Sequence, residues 1–415
     1  MAFNQIRMKR FLFCISIVMG LLIPLNSIAN DTIKAQKHKY KKSIQLYYQA
    51  GKVLQTNEFV KGQNASNQVI DYYQAVSLQY SIETDGNKLW QQNYLYPTWG
   101  FGFYTANFFN KKELGTPSAI YGFFRAPFYR FKKWSINYDV GFGLTYNWER
   151  YDQIDNPFQY AIGSSKTVFI DAGLGLEIYL GKHLSLLPAF SFTHFSNGAT
   201  RVPNLGINLF SPRVGLKYIF KERPEFIKTD IPKYNREWEY IALLNYASKQ
   251  LAFDTTQVEG NEGYVAETYN ILTFSTGVNR QISRKVKLGL GIDIGFDGAW
   301  NSYINYKNGI IERKNVANAS KLNFGIYGAF ELVIHKLSVI AQPGWYVYRS
   351  EWGVPEKSLV TGDIPPRRKS EGSYQRLGIK YNIFDNLFAG INIRAYDFGI
   401  ADYIEWNVCY RIKWR

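Results

Sequence analysis

Residues Trp134–Trp148 read WSINYDVGFGLTYNW. Between the two tryptophans every second residue is apolar: Ile136, Tyr138, Val140, Phe142, Leu144 and Tyr146. Ser135, Asn137, Asp139, Gly141, Gly143, Thr145 and Asn147 take the alternate positions. Side chains alternate across a strand with period two, so this stretch has one greasy face with aromatics at both ends and one small, polar face. Such a pattern fits a strand with lipid on one side, a lumen on the other and aromatic girdles at the two membrane interfaces.

The same signature recurs over residues 168–180, 184–192, 286–296, 324–332 and 406–414. Breaks such as Gly181-Lys182-His183 and Ile334-His335-Lys336 read as tight periplasmic turns. Longer polar stretches at 54–72, 149–165, 252–265, 300–319 and 350–371 read as external loops. About eight strands fall on each side of a charged, Pro-containing stretch at 221–236 that lacks alternation. Residues 177–187 echo 331–340 with a one-residue gap, as two related halves would. The fold class is therefore all-β: an antiparallel, up-and-down transmembrane barrel protein of about 16 strands. Small inward residues suit narrow lumens and favour two tandem eight-stranded barrels; a single sixteen-stranded barrel is the alternative.

Bulk composition agrees. The 415 residues are 17% aromatic, with 32 Tyr and 29 Phe, and no stretch after the N-terminus approaches the ~20 apolar residues of a membrane helix. Lys9 and Arg10 precede an apolar run ending near Leu25, and Ser27-Ile28-Ala29 offers small residues for cleavage. Residues 1–29 thus read as a secretory signal, followed by a basic tail at 30–41. Cys14 would leave with the signal, so Cys409 has no internal disulfide partner. The net charge of +16 would suggest nucleic acid for a cytosolic protein. An exported barrel meets lipid phosphates and lipopolysaccharide instead, so the expected partners are the membrane and lipopolysaccharide, with no nucleic acid. The expected location is the bacterial outer membrane. The alternating, aromatic-ended stretch 405–414 reads as its insertion signal.

Histidine is scarce: His38 lies in the tail, His183 and His335 in short turns, and His194 in Phe192-Thr193-His194-Phe195-Ser196-Asn197-Gly198. By strand parity His194 and Ser196 continue the outward row Leu184, Leu186, Phe190 and Phe192. The strand leaves a periplasmic turn, which puts this pair at the outer-leaflet boundary. Polar groups on a lipid face cost free energy unless they meet water or a partner. One reading is that His194 acts as general base to a Ser196 nucleophile in acyl transfer, reaching ester bonds near the head groups. The other is that His194 is an ordinary interfacial residue and Ser196 opens a loop. No Gly-rich phosphate loop, no His pair at metal spacing and no CxxC occur, so no metal or organic cofactor is expected.

His194-Phe195-Ser196-Asn197 followed by Pro203-Asn204-Leu205-Gly206 resembles the signature of the lipid A 3-O-deacylase (PagL) family of outer-membrane eight-stranded barrels. The resemblance covers about residues 42–220. The stretches 121–130, Asp155-Asn156-Pro157 and Ile162-Gly163-Ser164 are similar to larger, two-part, Bacteroidetes-type members known as acyloxyacyl hydrolases. The resemblance implies hydrolysis of an ester-linked acyl chain of lipid A. It makes His194 the base, Ser196 the nucleophile and Asn204 an oxyanion-hole donor, while Asn197 matches a motif position. Gly198 and Ala199 reverse the small pair usual in the family, and a backbone donor at Gly198 fits that turn. Where the family has the Glu that orients its His, this chain has Asn208. An amide can orient an imidazole but brings no full charge.

The chain then divides into a signal peptide at 1–29, the tail at 30–41, a deacylase-like barrel at 42–220, a linker at 221–235, and a second barrel half at 236–415. In that second half Tyr396, Asp402 and Glu405 lie near a comparable place without a neighbouring His, and the two acids read as caps of a strand end. The rival functional reading is a non-enzymatic barrel, either a pore or a lipopolysaccharide-binding structural protein.

Overall fold

Two long-range pairings decide the architecture. In the computed structural model β1 (Lys41–Val53) pairs antiparallel with β8 (Ile207–Ile219), from Ser43 opposite Ile219 to Val53 opposite Leu209. That closes a barrel through β2 (Tyr72–Glu83), β3 (Thr98–Asn107), β4 (Gly115–Arg130), β5 (Trp134–Trp148), β6 (Val168–Tyr179) and β7 (Leu184–Ser196). The second half runs through β9 (Trp238–Asp254), β10 (Tyr264–Gln281), β11 (Val286–Asp297), β12 (Ser302–Lys307) and β13 (Ile310–Asn315). It continues with β14 (Leu322–Ile334), β15 (Leu337–Arg349), β16 (Asp363–Ile364), β17 (Ser373–Asn382), β18 (Leu387–Tyr396) and β19 (Ile400–Trp414). Pairing of β19 with β9, Trp414 opposite Trp238, closes a second eight-stranded barrel. Strands β12, β13 and β16 stand outside it as a small three-stranded sheet, within stretches read from the sequence as loops. The architecture is thus two barrels, not one of sixteen strands. The structure describes residues 39–232, 234–255, 264–307, 309–358, 360–366, 371–396 and 400–414. The expected signal peptide lies outside the described residues, as does nearly all of the basic tail.

Period-two patterning works out in three dimensions as expected for most of β5: Ser135, Asn137 and Asp139 are buried in the lumen while Val140 and Leu144 are exposed. The parity fails at the end. Asn147 has φ +65, in the left-handed region, and this turns Trp148 inward, where its indole N–H donates to Thr145 at 2.9 Å. Trp148 therefore belongs to the barrel's core and not to a girdle.

The lumens are filled, but not only with the small residues that the sequence suggests. In the first barrel Lys217 Nζ bridges Glu83 at 2.9 Å and Glu177 at 3.1 Å, and Arg213 pairs with Asp139 and Asp171. In the second, Arg376 reaches Glu405 at 2.6 Å and Asp293 at 2.9 Å, and Lys380 reaches Glu331 at 2.6 Å. Buried charges persist only when paired in this way. Glu405 is therefore a lumen ion-pair partner within β19, and Asp402 pairs with Lys249 at 3.1 Å, so neither merely caps a strand end. The acids of the two echoing stretches, Glu177 on β6 and Glu331 on β14, each face a buried lysine, but they lie in the sixth strand of one barrel and the fourth of the other, so the echo does not mark equivalent strands. Above the charged layer the first barrel is plugged by Tyr104, Tyr121, Trp148, Phe169 and Phe195, with Phe59 and Val60 folding in from the loop after β1.

The barrels touch at the rims that carry the short turns, the ends read from the sequence as periplasmic. Trp90 of α1 (Leu89–Asn93) stacks on His335 at 5.7 Å, and the Tyr94 hydroxyl donates to the Val333 carbonyl at 2.7 Å. Phe124, Ala126 and Tyr138 of β4 and β5 pack with Leu332, Ile334 and Val339 of β14 and β15. At the opposite rim the β7–β8 connection meets the second barrel, where the Gln250 N–H donates to the Ala199 carbonyl at 3.2 Å.

Candidate active site

Strand β7 alternates over residues 190–195: Ser191, Thr193 and Phe195 are buried in the lumen, while Phe190 and Phe192 are exposed. Phe195 is the anchor. It has no exposed surface and packs edge-on against Trp148 at 5.1 Å and beside Phe169 at 5.7 Å. Thr193 Oγ1 adds a bond to Asp171 at 2.8 Å. With these two side chains fixed inward, His194 and Ser196 must project from the outer face.

The β7–β8 ladder places His194 directly opposite Asn208. Asn208 Oδ1 lies 2.6 Å from His194 Nδ1, and its Nδ2 donates to Thr56 Oγ1 at 3.0 Å. The amide is thus read with its oxygen toward the ring, so Nδ1 carries the proton and Nε2 keeps its lone pair. Behind this pair, Leu54 N–H donates to the Asn208 carbonyl at 2.8 Å and Asn57 Nδ2 to the Gly206 carbonyl at 2.7 Å. Gly206 has φ +73, and a Cβ there would come within 3.2 Å of His194 Cε1.

Ser196 is nearly buried, at 3% exposure. Two donors converge on its Oγ: Asn204 Nδ2 at 2.9 Å and the Gly198 N–H at 3.0 Å. The Asn197 N–H donates to Asn204 Oδ1 at 2.9 Å and so orients that amide with its nitrogen toward the serine. Asn197's own side chain ties the turn shut through the Arg201 carbonyl at 2.9 Å. Gly198 and Ala199 both take left-handed conformations, with φ +60 and +53. His194 and Ser196 hold these separate partners and are not bonded to each other. All six positions singled out in the sequence thus gather in one cluster. Thr56, Asn57 and the second-barrel residues against the turn were not foreseen, because nothing local in the sequence links them to β7.

A closed barrel with an apolar, aromatic outer surface is the form of an outer-membrane barrel, and this one carries a Ser-His-Asn cluster at one end of its outer wall. Residues 74–217 match the family model of lipid A 3-O-deacylase (PagL), and residues 238–414 match that of the acyloxyacyl hydrolase C-terminal domain. The chain belongs to this family as a two-barrel member, and its place is the outer membrane. No curated protein matches it. Loosely similar solved structures include the siderophore receptor PirA from Pseudomonas aeruginosa, at 8% identity and TM-score 0.26, over 92% of this chain and 82% of that one. Another is the translocator domain of the autotransporter NalP from Neisseria meningitidis, at 8% identity and TM-score 0.18, over 91% of this chain and 90% of that one. Likenesses this loose carry no functional argument.

Proposed function

We propose that the protein hydrolyses an ester-linked acyl chain of lipid A in the outer leaflet, with Ser196 as nucleophile and His194 as general base. The observation that carries this reading is the convergence of Asn204 Nδ2 and Gly198 N–H on Ser196 Oγ, beside a histidine whose Nδ1 is held by Asn208. In the acylation step Ser196 Oγ bonds to the acyl carbonyl carbon while its proton passes to His194 Nε2. The carbonyl electrons move onto oxygen, and the Asn204 and Gly198 N–H groups, already gathered at Oγ, face that oxyanion. Collapse expels the sugar oxygen, which takes the proton from His194. A water then gives its proton to Nε2 and attacks the acyl-serine; the Ser196 Oγ–acyl bond breaks, Oγ takes the proton back from Nε2, and the fatty acid leaves. The Nε2–Oγ contact forms when substrate is bound; residues two apart on one strand face are roughly 6.5–7 Å apart at Cα, within side-chain reach.

Placement on the outer face brings the chemistry to a lipid substrate without lifting it from the bilayer. The rival reading as a pore has little support, since ion pairs and aromatic side chains fill both lumens. Mass spectrometry of lipid A from a lipopolysaccharide-producing host tests the reading. Cells expressing the wild type should lose one acyl mass, and cells expressing Ser196→Ala or His194→Ala should not. Unchanged lipid A in the wild-type strain, with folded protein in the outer membrane, would overturn it.

A further inference from the structure

We infer that the second barrel is part of the hydrolase, and that Gln250 on β9 is a positioning residue that holds the 197–202 turn so that Gly198 N–H reaches Ser196. The inference rests on Ser196 being the nucleophile. Gln250 grips the turn at two points. Its backbone N–H donates to the Ala199 carbonyl at 3.2 Å, and its Oε1 accepts from Val202 N–H at 3.2 Å. Its Nε2 is in turn held by Thr268 Oγ1 of β10 at 3.3 Å, directly across the ladder. On the same side Ile404 of β19 lies flush with Gly198, where a Cβ would come within 2.4 Å of Ile404 Cγ1.

The grip falls where the turn needs it. Ala199 sits at φ +53, a conformation that residues bearing a Cβ keep only when their surroundings impose it. Bonds inside the turn run from Thr200 N–H and Oγ1 to the Asn197 carbonyl at 3.3 and 2.9 Å and from Asn197 Nδ2 to the Arg201 carbonyl at 2.9 Å, and none of them takes the Val202 N–H. Gln250 supplies the outer brace, fixing the carbonyl after Gly198 and the amide two residues before Asn204. Both oxyanion donors flank the braced segment, and displacement of such groups by about 1 Å can cost up to about 10² in rate. The second barrel, with no catalytic pair of its own, thereby acts on the chemistry of the first.

The test uses the full chain, refolded in detergent, with purified lipopolysaccharide in mixed micelles. Gln250→Met removes the acceptor at constant size, and Gln250→Glu keeps an oxygen for Val202 N–H. Gln250→Met should lower kcat about tenfold with KM little changed. Deuterium uptake by the 197–206 segment should rise, while the heat-dependent gel shift of the folded barrel stays the same. Gln250→Glu should keep both kcat and uptake near wild type. Wild-type kcat and uptake in Gln250→Met, or an equal loss in Gln250→Glu, would overturn the brace. An inactive wild type, or an active Ser196→Ala, would instead sink the hydrolase reading and the inference with it.

Discussion

Replacing Asn208 with leucine takes away the acceptor that fixes the His194 ring while leaving the backbone ladder between β7 and β8 intact. The Nδ1···Oδ1 separation of 2.6 Å is short for a neutral hydrogen bond, and the ring is half-buried, so little water is at hand to replace the amide. A buried donor left without its partner costs about 1–3 kcal/mol, which corresponds to roughly 5- to 150-fold in rate if it falls on the reactive tautomer. Loss near the upper end is expected, because the ring is then free to turn its protonated nitrogen toward the serine. Asn208→Asp separates orientation from charge. It keeps an oxygen in the same place and makes the bond charge-assisted, a class roughly twice as strong as neutral ones. Its rate should equal or exceed that of the wild type. The assay is release of free fatty acid from purified lipopolysaccharide under single-turnover conditions, with folded protein quantified by gel shift. Full activity in Asn208→Leu would refute the claim that this amide orients the base.

Gly198→Ala places a methyl group against Ile404, so the turn or the neighbouring strand must move, and the rate should fall by about 10²–10³, as for loss of one oxyanion donor. Pairing it with Ile404→Ala in the same fatty-acid assay should recover part of that loss, and no recovery would deny the inter-barrel contact a role. Lys217→Met leaves Glu83 and Glu177 facing each other in the lumen without their shared cation, which should destabilise the first barrel by about 3–5 kcal/mol. An unshifted urea midpoint for tryptophan fluorescence would show that the pair does not support the barrel.

Much of this was legible in the sequence, for a definite reason. A lipid face and a lumen face force alternation, so residues 134–148 announce a strand, and counting by twos from Leu184 puts His194 and Ser196 on the outer side. What alternation does not carry is partnership across strands. The closing pairs β1–β8 and β9–β19 join residues more than 150 positions apart, which is why one barrel and two read almost alike. Asn208 stands out by its place in a family motif, yet its contact with His194 becomes visible only once the ladder register is known. Thr56 and Gln250 reach the site from a distant loop and from the other barrel. The lumen charges are a different case: Glu405, taken singly, reads as the cap of a strand end, and only closure of the barrel brings Arg376 and Arg394 around it. A single left-handed residue, Asn147, was enough to turn Trp148 from girdle to core.

The two contacts between the barrels, at opposite rims, amount to a bidentate attachment. The connecting segment strengthens it, for it is pinned to the first barrel by the Phe226 stack on Tyr96 at 4.1 Å and by Ile227 N–H bonded to the Asp85 carbonyl at 2.7 Å. Partners tethered this closely meet at millimolar effective concentration, so contacts too weak to join separate molecules still hold. The halves therefore need no extensive dry interface to stay in register. A change at one rim leaves the other rim and the tether to keep the barrels side by side. Evolution is then free to rework the external contact, where the chemistry is, at small risk to the assembly.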